Sequence, residues 1–181
     1  MSKIGKKNII IPKESSVKIE GDSLTITGPK GSKSLTINDK IFSSKVSEHN
    51  EFQILPLNKK IDKKTSIMWG TYRSLINNAV MGVSQGHEKS LNLSGVGFRA
   101  NIKGEILNLQ IGFSHDVNFN IPKEVKITVE KQTTIKINGV DKDLVSKIAS
   151  DIKNLKPVEP YKAKGITEKG QFILRKEGKK K

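Results

Sequence analysis

The sequence repeats itself, and this internal duplication constrains the fold more than any other feature. Residues 11–14, Ile-Pro-Lys-Glu, recur as residues 121–124, and each copy leads into a stretch of alternating apolar and polar residues. Asp62-Lys63-Lys64 precedes a helical pattern, as Asp141-Lys142-Asp143 does later in the chain. Repetition of this kind indicates two related structural units in tandem.

Short strands joined by tight turns are predicted in both units. In the first unit, period-two alternation is interrupted at Gly21-Asp22 and at Gly28-Pro29-Lys30-Gly31. Glycine adopts positive φ and proline fixes φ at the entry of a turn, so these interruptions are typical of antiparallel hairpins. The second unit has an equivalent interruption at Gly104-Glu105.

One helix follows the strands of each unit. In the first unit, apolar residues recur at three- and four-residue spacing from Ile67 to Val83, with Asp62 or Thr65 as the N-cap and Gly82 or Gly86 near the end. The second helix carries an apolar face of Leu144, Val145, Ile148, Ile152 and Leu155 and ends before Pro157.

We therefore predict an α+β fold of two tandem duplicated domains, each an antiparallel sheet packed against one helix, followed by a basic C-terminal tail. The expected boundaries are 1–82, 83–156 and 157–181. From Tyr161 to Lys181 there are eight basic residues and only two acidic ones, Glu168 and Glu177. Such a tail gains little from burial, so we expect an extended arm that a partner orders.

The charge of the chain indicates a polyanionic partner. Lys and Arg number 33 against 18 Asp and Glu, a formal net charge of +15. Arg73, Arg99 and Arg175 are the only arginines. Lysine neutralises phosphate but lacks the planar fork that reads base edges, so the composition favours recognition of backbone and shape in folded RNA. Aromatic residues, at 5%, are too few for a platform that stacks single strands.

Composition also excludes several classes. There is no cysteine, which rules out a disulfide scaffold and thiolate chemistry. The longest aliphatic run is Ile9-Ile10-Ile11, too short for a signal peptide or a membrane span. We expect a soluble cytoplasmic protein with no cofactor, no membrane partner and no small-molecule substrate.

Four motifs resemble catalytic or metal sites and are better explained structurally. Gly82-Val83-Ser84-Gln85-Gly86 matches a hydrolase elbow but falls at a predicted helix end. Gly95-Val96-Gly97-Phe98-Arg99-Ala100 matches a dinucleotide motif but precedes a strand. His49, His87 and His115 lack metal-ligand spacing. Adjacent residues in Ser114-His115-Asp116 point to opposite faces of an extended chain and cannot form a triad.

Several segments, taken together, closely resemble the bacterial family of the sixth large-subunit ribosomal protein. They are Ser2-Lys3-Ile4-Gly5-Lys6-Lys7, Gly28-Pro29-Lys30-Gly31, residues 69–78, residues 95–100, Gly112-Phe113-Ser114-His115, residues 157–166 and residues 173–179. The segment from Pro157 to Ile166 is the most specific. The resemblance runs from end to end in the same order.

This resemblance implies a non-catalytic structural constituent of the large ribosomal subunit. It implies contact with large-subunit (23S) ribosomal RNA near the sarcin-ricin loop and the stalk base, neighbouring ribosomal proteins as partners, and translation factors nearby. The family's RNA contacts lie chiefly in its second domain and tail. Two departures stand out: Ala163 replaces a common Gly, and Thr167-Glu168 replaces a common Arg-Tyr.

The expected RNA-binding residues are Lys153, Lys156, Tyr161, Lys162, Lys164, Lys169, Arg175, Lys176, Lys179 and Lys180. Tyr161 could stack on an exposed base or pack against the second domain. Arg73, beside Trp69 and Tyr72, could bridge the two domains or touch RNA. Two rival functions share parts of the pattern: a basic protein that compacts DNA, and a serine hydrolase that uses Ser84.

Overall fold

The chain folds into two compact units. A computed structural model describes residues 2–47, 50–58 and 62–178. The first unit contains the chain up to Gly86 together with Val140–Lys142, and the second contains His87–Gly139 and the chain from Asp143 onward. Antiparallel sheets and one long helix occur in each unit. The prediction of a tandem α+β fold is therefore confirmed.

The first unit contains two three-stranded antiparallel sheets. One has the strand order β1-β6-β5 and the other the order β2-β3-β4. The strands are β1 (Ile9–Ile10), β2 (Ser16–Glu20), β3 (Ser23–Gly28), β4 (Gly31–Thr36), β5 (Phe42–Val46) and β6 (Glu51–Pro56). Gly21 has a φ of 58° in the turn between β2 and β3, which explains the glycine predicted there. Each predicted hairpin of this unit is present.

Helix α1 (Lys63–Ser84) covers the core of the first unit. The side chain of Asp62 accepts a hydrogen bond from the Lys63 amide, so Asp62 is the N-cap, and Gly86 follows the helix with a φ of 81°. Ile76 and Val83 of the helix pack in one core with Ile26 of β3 and Phe52 of β6, and all four residues are fully buried. Because the helix runs to Ser84, residues 83–86 belong with the first unit rather than the second.

The second unit also has two antiparallel sheets. A four-stranded sheet has the order β11-β12-β7-β13, and a three-stranded sheet has the order β10-β9-β8. The strands are β7 (His87–Ser94), β8 (Arg99–Lys103), β9 (Ile106–Gln110), β10 (Val117–Asn120), β11 (Val125–Glu130), β12 (Thr134–Gly139) and β13 (Gly165–Glu168). Helix α2 (Lys142–Leu155) buries Val145, Ile148, Ala149 and Ile152 and ends before Pro157, as predicted.

The topology identifies which parts of the two units are equivalent. The hairpins β2-β3-β4 and β8-β9-β10 each form a three-stranded sheet, and β1-β6-β5 corresponds in pairing to β7-β12-β11. The two Ile-Pro-Lys-Glu segments are not equivalent: residues 11–14 precede β2, whereas residues 121–124 precede β11. The two helix starts after Asp62 and Asp141 do correspond. The duplication was thus inferred correctly from one matched pair and one coincidental pair.

The structure corrects part of the prediction that the chain from Tyr161 to Lys181 forms an extended arm. Residues 165–168 are β13, which pairs antiparallel with β7, and Ile166 opposite Leu93 is fully buried. Burial of one such side chain contributes roughly 1.5–3 kcal/mol. A single large apolar residue in a basic segment carries too weak a pattern to predict a strand, but the open edge of β7 supplies its backbone partners.

Candidate nucleic-acid interface

A closed loop between α2 and β13 presents part of the predicted basic site. The amide of Ile166 donates to the carbonyl of Lys156 at 3.0 Å, and the amide of Glu159 donates to the carbonyl of Lys164 at 2.8 Å. These bonds hold the two arms of the loop together, so that Tyr161 and Lys162 lie at its tip. Both side chains are exposed, with Tyr161 at 54% of its full area.

Glycine at position 165 makes this narrow loop possible. A Cβ atom at Gly165 would lie 2.7 Å from the Val158 Cα and 2.8 Å from the Pro157 carbonyl oxygen. Its φ of 142° also belongs to the region that favours glycine. At Ala163, where the resembled family often has glycine, φ is 56°, and the residue is buried. The loop conformation is therefore retained at position 163 at the cost of backbone strain.

The tail returns to the tip of this loop. After β13, the Lys169 amide donates to the Ser90 carbonyl at 2.9 Å, and further on the Lys176 amide donates to the Pro160 carbonyl at 3.0 Å. The second bond places the segment containing Arg175 and Lys176 beside the loop tip. We define the basic loop cluster as Tyr161, Lys162, Lys164, Arg175 and Lys176, all of which are exposed.

Two of the predicted RNA-binding lysines, Lys153 and Lys156, have partners within the protein. Lys153 Nζ donates to Glu168 Oε1 at 3.2 Å, and Lys89 Nζ donates to Glu168 Oε2 at 3.2 Å. These hydrogen bonds, from Lys89 first and then Lys153, lower the pKa of the Glu168 carboxyl below its ordinary value. Lys156 Nζ lies 4.4 Å from the centre of the Phe113 ring, a cation–π distance.

The remaining predicted residues are dispersed or not described. Lys169 is exposed at the end of β13, next to the ion pairs of Glu168. Lys179 and Lys180 lie outside the described residues. The structure thus brings together five of the ten predicted side chains as the basic loop cluster and engages Lys153 and Lys156 elsewhere.

Sequence reasoning missed Lys89 and the pairing role of Glu168. The only available signal was that Glu168 departs from the resembled family's usual aromatic residue. That departure now has a structural meaning, because the carboxylate of Glu168 neutralises two nearby lysines. Lys89 belongs to β7, 79 residues earlier in the chain, so no local pattern could have connected the two.

The enzyme-like motifs adopt ordinary structure. Ser84 is the last residue of α1, and its hydroxyl donates to the Met81 carbonyl at 3.1 Å. Gly95 and Gly97 lie in the connection from β7 to strand β8, so no helix follows them. In the described ranges, no group of three or more His, Cys, Asp or Glu could hold a metal ion, and His49 lies outside those ranges.

Membrane insertion through a helix is not supported by the described part of the chain. Within it, neither helix is long and apolar enough to cross a bilayer. Helix α2 has 14 residues, and α1 contains charged and polar residues along its length.

Comparison with known proteins identifies close relatives along the entire chain. The sequence model of the family described as Ribosomal protein L6 matches twice, at residues 11–86 and 94–169. The chain is 44% identical to the large ribosomal subunit protein uL6 of Beijerinckia indica over 181 residues, which is 100% of both chains. It is 44% identical to that of Phenylobacterium zucineum over the same length. Against that of Staphylococcus epidermidis it is 44% identical over 99% of this chain and 98% of the relative.

The two matches of one family model agree with the strand correspondence. The first match spans β2 to the end of α1, and the second spans β8 to β13. Each therefore contains a three-stranded hairpin sheet, two further strands and a helix in the same order. The duplication predicted from the sequence and the topology of the structure describe the same repeat.

Proposed function

The chain belongs to the ribosomal protein L6 family, and from this premise we propose that its basic loop cluster binds large-subunit ribosomal RNA near the sarcin-ricin loop and the stalk base. The chain is a structural constituent of the large ribosomal subunit and not an enzyme. Its place is in the ribosome of the cytoplasm, with large-subunit RNA and neighbouring ribosomal proteins as its partners.

The observation that carries the proposal is the bond from the Lys176 amide to the Pro160 carbonyl. It joins the tail to the loop tip, so that the segment with Arg175 and Lys176 lies beside the loop with Lys162 and Lys164. No ion pair within residues 62–178 uses Lys162, Lys164, Arg175 or Lys176. Four exposed cationic residues, on the loop and on the tail segment bonded to it, favour binding to a polyanion.

The chemistry of the cluster suits phosphate groups rather than base edges. Three of its four cations are lysines, which act as mobile point charges and tolerate variable geometry. Folded RNA exposes phosphates and 2′-hydroxyls on its shallow side, so shape and charge carry the recognition. The exposed ring of Tyr161 can stack on one unpaired base beside these contacts.

Neighbouring proteins are a further expectation at this surface. Phe172 and Leu174, between β13 and Lys176, are 86% and 74% exposed. These two side chains, two residues apart on the tail, are available for contact with a neighbouring protein. We also propose that this chain stabilises the tertiary structure of the large-subunit RNA and supports the region where translation factors dock.

The salt dependence of RNA binding tests the proposal. The triple variant K162Q/K164Q/K176Q removes three charges from the basic loop cluster, and K103Q/K123Q/K126Q removes three exposed lysines elsewhere in the same unit. Each lost phosphate contact lowers the slope of log affinity against log salt by about 0.7–0.9. On large-subunit RNA, we expect K162Q/K164Q/K176Q to reduce this slope by about 2–3 and the control variant to reduce it much less.

Substitution is a better test than truncation. Removing residues 157–181 would delete β13 and the buried Ile166, so lost binding would also reflect lost folding. Equal slopes for the cluster variant and its control would contradict the proposal. Competition with duplex DNA separates it from the DNA-compacting alternative, which predicts equal displacement by both polymers. Labelling of Ser84 by a fluorophosphonate probe would support the hydrolase instead.

A further inference from the structure

The first unit carries nearly as much surplus positive charge as the second. Residues 1–86 contain 14 Lys and Arg against 7 Asp and Glu, and residues 87–181 contain 19 against 11. Helix α1, from Lys63 to Ser84, has no acidic residue at all. A binding site confined to the second unit does not account for the positive charge of the first unit.

Three of these lysines lie on one N-terminal turn. The Lys7 amide donates to the Ile4 carbonyl at 3.1 Å, and the Gly5 amide donates to the Ser2 hydroxyl at 3.1 Å. The turn directs the side chains of Lys3, Lys6 and Lys7 outward, and all three residues are exposed. Gly5, in the middle of the turn, is buried.

The turn is fixed to α1 through Gly5 and Arg73. Gly5 lies against the Trp69 ring so closely that a Cβ atom would be 2.6 Å from it, and Trp69 Nε1 in turn donates to the buried Ile54 carbonyl at 2.7 Å. Arg73 donates from Nε to the Lys7 carbonyl and from Nη2 to the Asn8 carbonyl, each at 3.3 Å. In the first unit, Arg73 therefore acts as a clamp on the turn.

Asn8 completes the anchoring at the other end of the turn. In the Asn8 side chain, Nδ2 donates to Glu51 Oε2 at 2.7 Å, and Oδ1 accepts from Gln53 Nε2 at 2.6 Å. The nearby carboxylate of Glu51 is thus engaged by an amide. Within the described ranges, no ion pair involves Lys3, Lys6 or Lys7.

Two more exposed lysines, Lys63 and Lys64, lie at the start of α1, the helix against which the turn packs. Ser2 and Ile4 face Ser66, Ile67 and Gly70 of α1 across a shallow depression of about 550 Å³. Lys63 and Lys64 precede Ile67 by four and three residues, so they lie on the same face of the helix. Both are exposed in the first turn of α1, where the helix dipole disfavours cations and favours an external anion.

We propose that Lys3, Lys6 and Lys7, with Lys63 and Lys64, form a second phosphate-binding surface for ribosomal RNA on the first unit. The inference extends the proposed function, on which it rests, from the second unit to the first. Clamping by Arg73 and the Gly5–Trp69 contact orders the turn before binding, so the lysines lose less conformational entropy when they contact phosphates. We define these five residues as the N-terminal basic surface.

RNA fits this surface better than a protein segment does. Three lysines within five residues present ammonium groups as separate point charges, the arrangement that follows a phosphate backbone. The exposed Ile4 and Ile67 in the depression make an acidic amphipathic segment the alternative occupant. Binding to protein-free RNA distinguishes the two occupants. Substitution of these lysines weakens that binding only if RNA is the occupant.

The experiment compares charge-matched variants of the full chain on protein-free large-subunit RNA. K3Q/K6Q/K7Q removes three charges from the N-terminal basic surface, and K13Q/K18Q/K40Q removes three exposed lysines elsewhere in the first unit. We expect the first variant to reduce the salt slope by about 2–3 and the control to reduce it much less. Gly5→Ala, which displaces the turn without changing its charge, is expected to weaken binding with little change in slope.

The second-unit variant K162Q/K164Q/K176Q, measured in parallel, separates the two proposals. Equal salt slopes for K3Q/K6Q/K7Q and K13Q/K18Q/K40Q would overturn the N-terminal basic surface. A reduced salt slope for K162Q/K164Q/K176Q in the same experiment would leave the proposed function intact. Unchanged slopes for all three variants would overturn both. Normal binding of K3Q/K6Q/K7Q to free RNA, with loss of the variant from assembled subunits, would identify a protein as the occupant and overturn the RNA assignment.

Discussion

Glu168, the last residue of β13, accepts a hydrogen bond from Lys153 of α2 at 3.2 Å. The same carboxylate also accepts one from Lys89 at 3.2 Å, so one acid neutralises two lysines next to the proposed RNA-binding loop. The resembled family commonly has an aromatic residue at this position. In this chain the charge available to RNA at the base of the loop is therefore reduced.

Glu168→Gln is expected to strengthen RNA binding. The substitution frees Lys89 and Lys153, and if both reach phosphates the salt slope becomes steeper by up to about 1.4–1.8. Glu124→Gln, which removes an exposed acid elsewhere in the unit, is the control for net charge. Filter binding over a range of salt concentrations measures both variants. If their slopes agree, Lys153 is a structural ion-pair residue and leaves the set of RNA-binding residues.

The same carboxylate makes the second unit sensitive to acid. Its folded-state pKa is lowered from the ordinary value of 4.5, mainly by the hydrogen bonds from Lys89 and Lys153. The resulting stabilisation is complete above pH 4.5 and is lost as the pH falls through the lower folded pKa. Partly exposed pairs contribute on the order of 0.2–1 kcal/mol each. Urea unfolding should show wild type more stable than Glu168→Gln at pH 6, with the difference disappearing toward pH 3. A difference that stayed constant over this interval would contradict the assignment.

Ala163→Gly should cost little stability despite burial of the alanine. A left-handed φ of 56° costs alanine about 1–2 kcal/mol, and glycine avoids this cost. This gain offsets the loss of the buried methyl group and the higher conformational entropy of the unfolded chain. The matched control is Ala100→Gly, a buried alanine in strand β8 without positive φ, which should lose about 1–2 kcal/mol. Chemical denaturation compares the two. Equal losses would show that position 163 carries no strain.

Gly165→Ala should destabilise the second unit far more than Gly170→Ala. Both glycines have positive φ, 142° and 84°, so both substitutions incur backbone strain of about 1–3 kcal/mol. A Cβ atom at Gly165 also meets backbone atoms of Pro157 and Val158 at 2.7–3.0 Å, whereas Gly170 has open space around it. The thermal unfolding midpoint of each variant tests the comparison. Similar midpoints would mean that the loop can open to accommodate the methyl group.

Much of the candidate site was predictable, but its organisation was not. Tyr161, Lys162 and Lys164 were predicted from the sequence and are exposed on the loop, as are Arg175 and Lys176 on the tail. The engagement of Lys153 by Glu168 and of Lys156 by Phe113 was not predicted. A basic residue has the same appearance in a sequence whether its ammonium group faces solvent or a carboxylate.

In the N-terminal turn, too, the residues were predictable but their contacts were not. Its lysines are evident in the sequence, yet Arg73 was left between a contact joining the two domains and a contact with RNA. Its bonds to the Lys7 and Asn8 carbonyls span 66 and 65 residues, and neither alternative anticipated them. A hydrogen bond to a backbone carbonyl leaves no signature in residue type, so only the folded chain reveals it.

The sequence alone determined the α+β class, the hairpins at Gly21 and Gly104, and a helix beginning at Asp62 or Thr65, because periodicity and turn chemistry act over a few residues. Tertiary structure decided that residues 165–168 join a sheet, that Glu168 pairs with Lys89 and Lys153, and that the tail returns to Pro160. Each of these depends on an open strand edge, a charge or a backbone carbonyl supplied from elsewhere in the chain. The free energy of such contacts belongs to both partners, so neither local segment encodes it.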